Sequence, residues 1–162
     1  MQYEFKIRDL KESDISTVLS IYNDHVINGF AAYSEKELSI DFINRLKKDS
    51  LSFIILEIEE KITGFAFLRN YLPYDNFKHT GQLSYIIKPE YTNKSFGTML
   101  FNKLVDAAKD NGIDILIVHL SSLNQQSLNF HKKHGFIECG KFKNIAKKFG
   151  QEFDIIWMQK NI

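Results

Sequence analysis

The stretch Gln82-Leu-Ser-Tyr-Ile-Ile-Lys-Pro-Glu-Tyr-Thr-Asn-Lys-Ser-Phe-Gly97-Thr-Met-Leu100, continued to Asn111-Gly112, decides how the chain folds. Leu83 to Ile87 is an apolar, β-favouring run, and Pro89 has no N–H to give a sheet ladder, so a strand ends before it. A short polar turn follows. From Gly97 the apolar period changes, and Leu100, Leu104, Ala107 and Ala108 share one face of a helix that Asn111-Gly112 stops. A strand thus enters a helix through a loop of small residues. The first amides of a helix lack an intrahelical partner, and the helix dipole adds partial positive charge at the same end. Ser95 and Gly97 let a ligand approach that backbone, with the charge of Lys94 beside it, so the loop suits a phosphate group. A plain strand-to-helix turn without a ligand suits the same residues.

Outward from that stretch, 162 residues are enough for one domain, 1–162, with a sizeable core. The 21 basic and 20 acidic side chains nearly cancel, which removes any global pull toward nucleic acid or an anionic membrane. No apolar run reaches the ~20 residues that span a bilayer. The single Cys139 excludes an internal disulfide and Met1 to Lys6 lacks a signal-peptide core, so a cytoplasmic location is expected.

Tyr3, Phe5 and Ile7 alternate as a first strand. Ser13 or Asp14 caps a helix ending at Asn28-Gly29, and Ser39 caps a shorter one through Phe42, Ile43 and Leu46. Strands are expected over 51–58, 62–68 and 83–87, with a loop over 69–78. The almost wholly apolar run 113–120 predicts a strand covered on both faces. A helix carrying Ser127, Leu128, Phe130 and His131 follows, stopped by Gly135. Phe136 opens a strand, Asn144 to Gly150 reads as a basic connector, and Phe153 to Met158 closes the fold. The order of elements predicts an α/β fold with a mixed sheet.

Four segments together resemble the GNAT superfamily of acyl-CoA-dependent N-acetyltransferases, in its phosphinothricin acetyltransferase-like branch. They are Ile21-Tyr22-Asn23; Thr80 to Pro89 leading to Gly97; Asn124-Gln-Gln-Ser127-Leu-Asn-Phe-His131-Lys-Lys-His-Gly135-Phe136; and the tail Lys148-Phe-Gly-Gln-Glu-Phe-Asp154-Ile-Ile-Trp157-Met-Gln. The resemblance implies a GNAT-like fold of α+β type, whose central sheet is mixed, mostly antiparallel and flanked by helices, with two splayed central strands. It also implies acetyl-CoA as cosubstrate, no metal, a homodimer, and direct acetyl transfer to the primary amine of a small molecule such as an amino acid. By the same resemblance the coenzyme lies on Ile86, Ile87, Thr92, Asn93, Lys94, Ser95, Phe96, Gly97, Thr98, Asn124, Ser127 and Lys133. The family loop usually reads Gln/Arg-x-x-Gly-x-Gly/Ala, whereas Thr92 stands first here and Ser95 replaces the first Gly.

Acyl transfer to an amine needs a neutral nitrogen, stabilisation of the oxyanion and a proton for the departing thiolate. Relatives often carry Glu where this chain has Gln82; an amide cannot take a proton, so Gln82 is expected to orient a water or the substrate, with His79 as another candidate base. His131 occupies the place near the departing sulfur and is expected to donate a proton as imidazolium. Tyr22, Phe30, Tyr33, Tyr74 and Ser84 are candidate walls of the acceptor site, with Arg69 or Lys78 as candidate carboxylate partners. His131 and His134 are three apart, yet no Asp, Glu or Cys completes a zinc set nearby. Cys139 reads as structural, and the lysines at 132, 133, 141, 143, 147 and 148 read mostly as solvated surface. Two rivals stand beside the small-molecule enzyme: an acyl-CoA-binding module without turnover, and an acetyltransferase of protein N-termini or lysines.

Overall fold

Alternation along the strands divides the buried side chains between the two faces of one sheet. The computed structural model describes residues 3–162. Its elements are β1 (Phe5–Asp9), α1 (Ile15–Asn28), α2 (Ile40–Asp49), β2 (Ser50–Ile58), β3 (Lys61–Asn70), β4 (Thr80–Ile87), α3 (Phe96–Asp110), β5 (Ile115–Ser121), α4 (Gln125–Lys133), β6 (Ile137–Lys148) and β7 (Gln151–Asn161). The strands form a seven-stranded sheet in the order β1-β2-β3-β4-β5-β7-β6. Every neighbouring pair is antiparallel except β4 and β5.

On one face Leu56, Ala66, Leu68, Leu83, Leu116 and Val118 pack with Leu100, Leu104 and Leu128 of α3 and α4. On the other, Phe53, Ile55, Phe65 and Phe67 pack with Val18 and Ile21 of α1 and Ile43 of α2. Each fully buried aliphatic or aromatic side chain contributes about 1.5–3 kcal/mol, so these two layers hold the sheet against the entropy of the chain.

The parallel pair positions the site. β4 and β5 are in register only at Thr80↔Ile115, Gly81↔Leu116 and Gln82↔Ile117, although β4 runs on to Ile87 and β5 to Ser121. Beyond Gln82 the strands part, and a cleft opens between Leu83–Ile87 and the end of β5.

The expected order of elements is the observed one. One segment differs: Asn144 to Lys148 is strand rather than connector, because Ala146↔Phe153, Lys147↔Glu152 and Lys148↔Gln151 pair across a tight hairpin. The chain absorbs an irregularity there, with Asn144 at φ 50 and its N–H donating to Asp154 Oδ1 at 2.9 Å.

Candidate active site

The cleft widens into a cavity of about 550 Å³. Tyr85, Ile86 and Ile87 of β4 form one wall; Thr92, Asn93, Ser95, Gly97 and Thr98 form the floor; Asn124, Ser127, Phe130, Lys133 and His134 close it from α4. Met99 N–H is the first to bond back into α3, to Ser95 O at 3.1 Å, so the amides of Phe96, Gly97 and Thr98 have no helical acceptor. The loop reaches this start through two left-handed residues, Asn93 at φ 57 and Ser95 at φ 67. A non-glycine residue in that conformation costs about 1–2 kcal/mol, which is the physical consequence of Ser95 standing where glycine is usual. A Cβ on Gly97 would lie 3.2 Å from Phe130 Cε2, so the second small residue keeps α3 and α4 close. Asn124 Oδ1 accepts from Ser127 N–H at 3.2 Å and caps α4.

Two residues expected here face elsewhere. The Phe96 ring is buried in the core against Tyr3 and Phe5, leaving only its amide toward the site. Lys94 Nζ donates to Tyr3 Oη at 2.8 Å and lies over the Tyr3 ring, outside the cavity lining.

His131 also differs from its expected role. It is buried, 1% exposed, behind Tyr85. Its Nδ1 lies 2.7 Å from Ser127 O, and a carbonyl only accepts, so Nδ1 carries the proton and Nε2 accepts from the Tyr85 hydroxyl. Burial pushes this imidazole down to about 4. It is therefore neutral at physiological pH with both nitrogens engaged, and no imidazolium is present to give up a proton. Tyr85 itself lines the cavity, and burial keeps its hydroxyl protonated.

A stability prediction follows. The unfolded imidazole takes a proton as pH falls below about 6.5, and folded His131 only near 4, so the unfolded state binds more protons in that window. Stability is expected to fall by up to about 3 kcal/mol between pH 6.5 and 4 on this account. Urea unfolding of wild type and His131→Gln at both pH values checks it; an equal fall in both proteins would contradict it.

On the opposite face of the sheet, the side chains at the parting of β4 and β5 form a second cluster. Arg69 faces Gln82 in the β3–β4 register, and its Nη2 donates to Gln82 Oε1 at 3.0 Å. Among the described residues no carboxylate pairs with this guanidinium. His119 lies two residues beyond Ile117, the last residue of β5 paired with β4. Its ring is stacked on Tyr33 and packs against Trp157 with centroids 4.9 Å apart. Tyr33 Oη is 3.0 Å from His119 Nδ1 and donates to His119 O at 3.3 Å. With that hydroxyl proton used, Nδ1–H donates to Tyr33 and Nε2 keeps its lone pair. Burial, and then the charge of Arg69, hold the His119 imidazole below its ordinary range.

Ser84 follows Gln82 on the same side of β4, half-buried. Tyr22 packs edge-on to Phe42 and is stacked near Phe65, which roots it in the core. Phe30 is held by Phe149 and Phe153. Tyr74, 64% exposed, lies outside both clusters on the turn before β4. His79 is exposed. Sequence reasoning missed His119 and gave Arg69 only a flanking part; the signal was present in the alternation, which puts 69, 82, 117 and 119 on one face. Among the described residues no three His, Cys, Asp or Glu come together as a metal site.

The model of the acetyltransferase (GNAT) family matches residues 18–136. The chain belongs to that family. Among its relatives, the L-amino acid N-acyltransferase MnaT of Escherichia coli is 28% identical over 94% of this chain and 91% of that protein. The crystal structure of ribosomal-protein-alanine N-acetyltransferase from Brucella melitensis superposes with a TM-score of 0.87 at 28% identity, covering 97% of this chain and 99% of that one. A GNAT superfamily phosphinothricin acetyltransferase from Sinorhizobium meliloti, solved with AcCoA, has a TM-score of 0.90 over 98% of this chain and 88% of that one; at 22% identity it shows the shared fold. This GNAT chain is an N-acetyltransferase that uses acetyl-CoA. The cavity suits that cosubstrate: three unpaired amides at the start of α3, the unpaired edges of two parting strands, and Lys133 at the rim.

Proposed function

We propose that this chain transfers the acetyl group of acetyl-CoA directly to the primary amine of a small molecule carrying a carboxylate, an amino acid or amino-acid analogue. The observation that carries this reading is the Arg69 guanidinium, unmatched by any described carboxylate and beside Gln82 where β4 and β5 part. A buried-edge cation without a counter-ion favours an anionic partner, and guanidinium binds carboxylate with two parallel hydrogen bonds.

Acetyl-CoA supplies the activated acyl group. The amides of Phe96, Gly97 and Thr98 hold its pyrophosphate, with Thr92, Asn93 and Ser95 shaping the loop, while Ile86, Ile87, Asn124 and Ser127 guide the arm and Lys133 adds charge. His119 Nε2, neutral at physiological pH, takes the proton from the substrate ammonium. Gln82 is fixed through its oxygen by Arg69, which leaves its N–H₂ to orient the acceptor. The Tyr85 hydroxyl, whose single proton rests on His131 Nε2 in this structure, turns that proton to the thiolate as it departs, and His131 acts behind it by holding the hydroxyl until then. Tyr22, Tyr33 and Ser84 bound the acceptor. Relative to the sequence expectation, His119 replaces a water oriented by Gln82, or His79, as the base, and Tyr85 replaces His131 as the donor.

The same proposal takes residues 1–162 as one cytoplasmic domain that pairs with a second copy. Ile137, Phe142 and Ile145 are exposed on β6, an edge strand of the kind that invites pairing, and the exposed free thiol of Cys139 suits a reducing compartment. No described helix is long and apolar enough to cross a membrane.

Arg69→Gln tests the acceptor class. Loss of a hydrogen-bonded charge is expected to raise the KM of an amino acid by ~10–100-fold, and that of an amine without a carboxylate by much less, through the loosened Gln82 alone. Equal loss on both would refute the assignment. The likeness to a ribosomal-protein-alanine acetyltransferase favours peptide N-termini as the second reading; peptides outperforming free amino acids would establish it.

A further inference from the structure

Lys148, expected at the surface, is wholly buried at the turn between β6 and β7. No carboxylate lies within ion-pair distance of it among the described residues. Its ammonium instead donates to Gly29 O and Ala32 O, each at 2.6 Å, and lies 4.9 Å from the Phe149 ring centre. Burying an ammonium is costly unless its protons are all used, so a lysine kept here implies that holding these two carbonyls matters. The carbonyls belong to a segment without helix or strand between α1 and α2. Its far end is fastened separately, by Asn23 to both the N–H and C=O of Leu38. Beside Lys148, Phe149 N–H donates to Glu35 Oε1 at 2.6 Å, so the hairpin turn grips residues 29–35 at three points.

That segment carries Ala31 into the wall of the cavity and Tyr33 onto His119. Resting on the functional reading above, we infer that Lys148 is a positioning residue of the acceptor site. Its ammonium clamps the 29–35 segment to the β6–β7 turn and thereby holds the Tyr33 hydroxyl that fixes the His119 tautomer. The tail motif beginning at Lys148 thus acts on the chemistry from a distance, through backbone carbonyls rather than by touching substrate.

A double-mutant cycle separates this from a merely structural lysine. Lys148→Met in the wild-type background is expected to lower kcat/KM for the amine ~10-fold, as misplacement of a catalytic group does, and in the Tyr33→Phe background to lower it at most ~2-fold. Additive losses in the two backgrounds would overturn the inference. Should Lys148→Met fail to fold, Glu35→Ala loosens the same grip from an exposed residue, and the same coupling to Tyr33→Phe is expected; additivity there overturns it equally. Hydrogen exchange of the Phe149 amide, which donates to Glu35 Oε1, gives a readout independent of activity. Its protection is expected to drop in Lys148→Met while α1 keeps its own, and unchanged protection refutes the clamp. A wild-type chain that acetylates no amine would defeat the functional reading, while the exchange measurement would still decide the clamp.

Discussion

Gly97→Glu is expected to give a folded protein that no longer binds coenzyme A. Gly97 sits in the first turn of α3 with ordinary helical backbone, so no left-handed conformation is disturbed by the change. A Cβ there comes 3.2 Å from Phe130, whose ring must yield by a few tenths of an ångström, and the rest of the side chain has only the cavity to enter. It would bring a carboxylate to the amides of 96–98, where the phosphate charge belongs. Like charges at that distance in a recess cost several kcal/mol, so the loss of affinity should reach ~10²-fold or more. Gly97→Ala supplies the contrast, since it adds bulk without charge and should cost far less. Calorimetry with coenzyme A measures both, and an unchanged affinity for Gly97→Glu would remove the phosphate from this loop.

His119→Ala is expected to lower kcat/KM by ~10²–10⁴-fold, the usual yield of a positioned base. The pH profile carries the sharper test. Burial and Arg69 hold the imidazole below its ordinary range, so wild-type kcat/KM should be on a plateau at neutral pH and fall only as pH drops below about 6.5. The charged form accumulates in that acid limb and cannot accept a proton. His119→Ala should lose the limb together with the rate. A mutant retaining wild-type rate with the same limb would assign His119 to packing alone.

The strand, loop and helix from Thr80 to Asp110 were legible because each rests on local chemistry: a β-favouring run, Pro89 as a stop, and a change of period at Gly97. The splay of β4 and β5 was reached only through the family resemblance, since nothing in either strand's pattern says where pairing stops. Gln82 was read as exchanging one family residue for another; its partner Arg69, thirteen residues away, is visible only once β3 and β4 are in register. His119 was passed over inside an apolar run, because one polar residue there weighs little until the parting of the strands exposes its face. His131 was found by motif, but its protonation depends on burial and on Tyr85, which spacing does not report. Lys148 shows the same limit in reverse: composition sends a lysine to the surface, and only long-range packing of the β6–β7 turn on residues 29–35 buries it.

The central claim is transfer of an acetyl group to a small carboxylated amine, and the most direct measurement is release of free thiol from acetyl-CoA across a panel of amines. The panel should contain free amino acids and their sulfoximine and phosphinic analogues, the same amines with the carboxylate removed, and short peptides. Thiol release is predicted for the carboxylated small amines, weakened when the carboxylate is absent. Saturable binding of acetyl-CoA with no thiol released by any amine would contradict it.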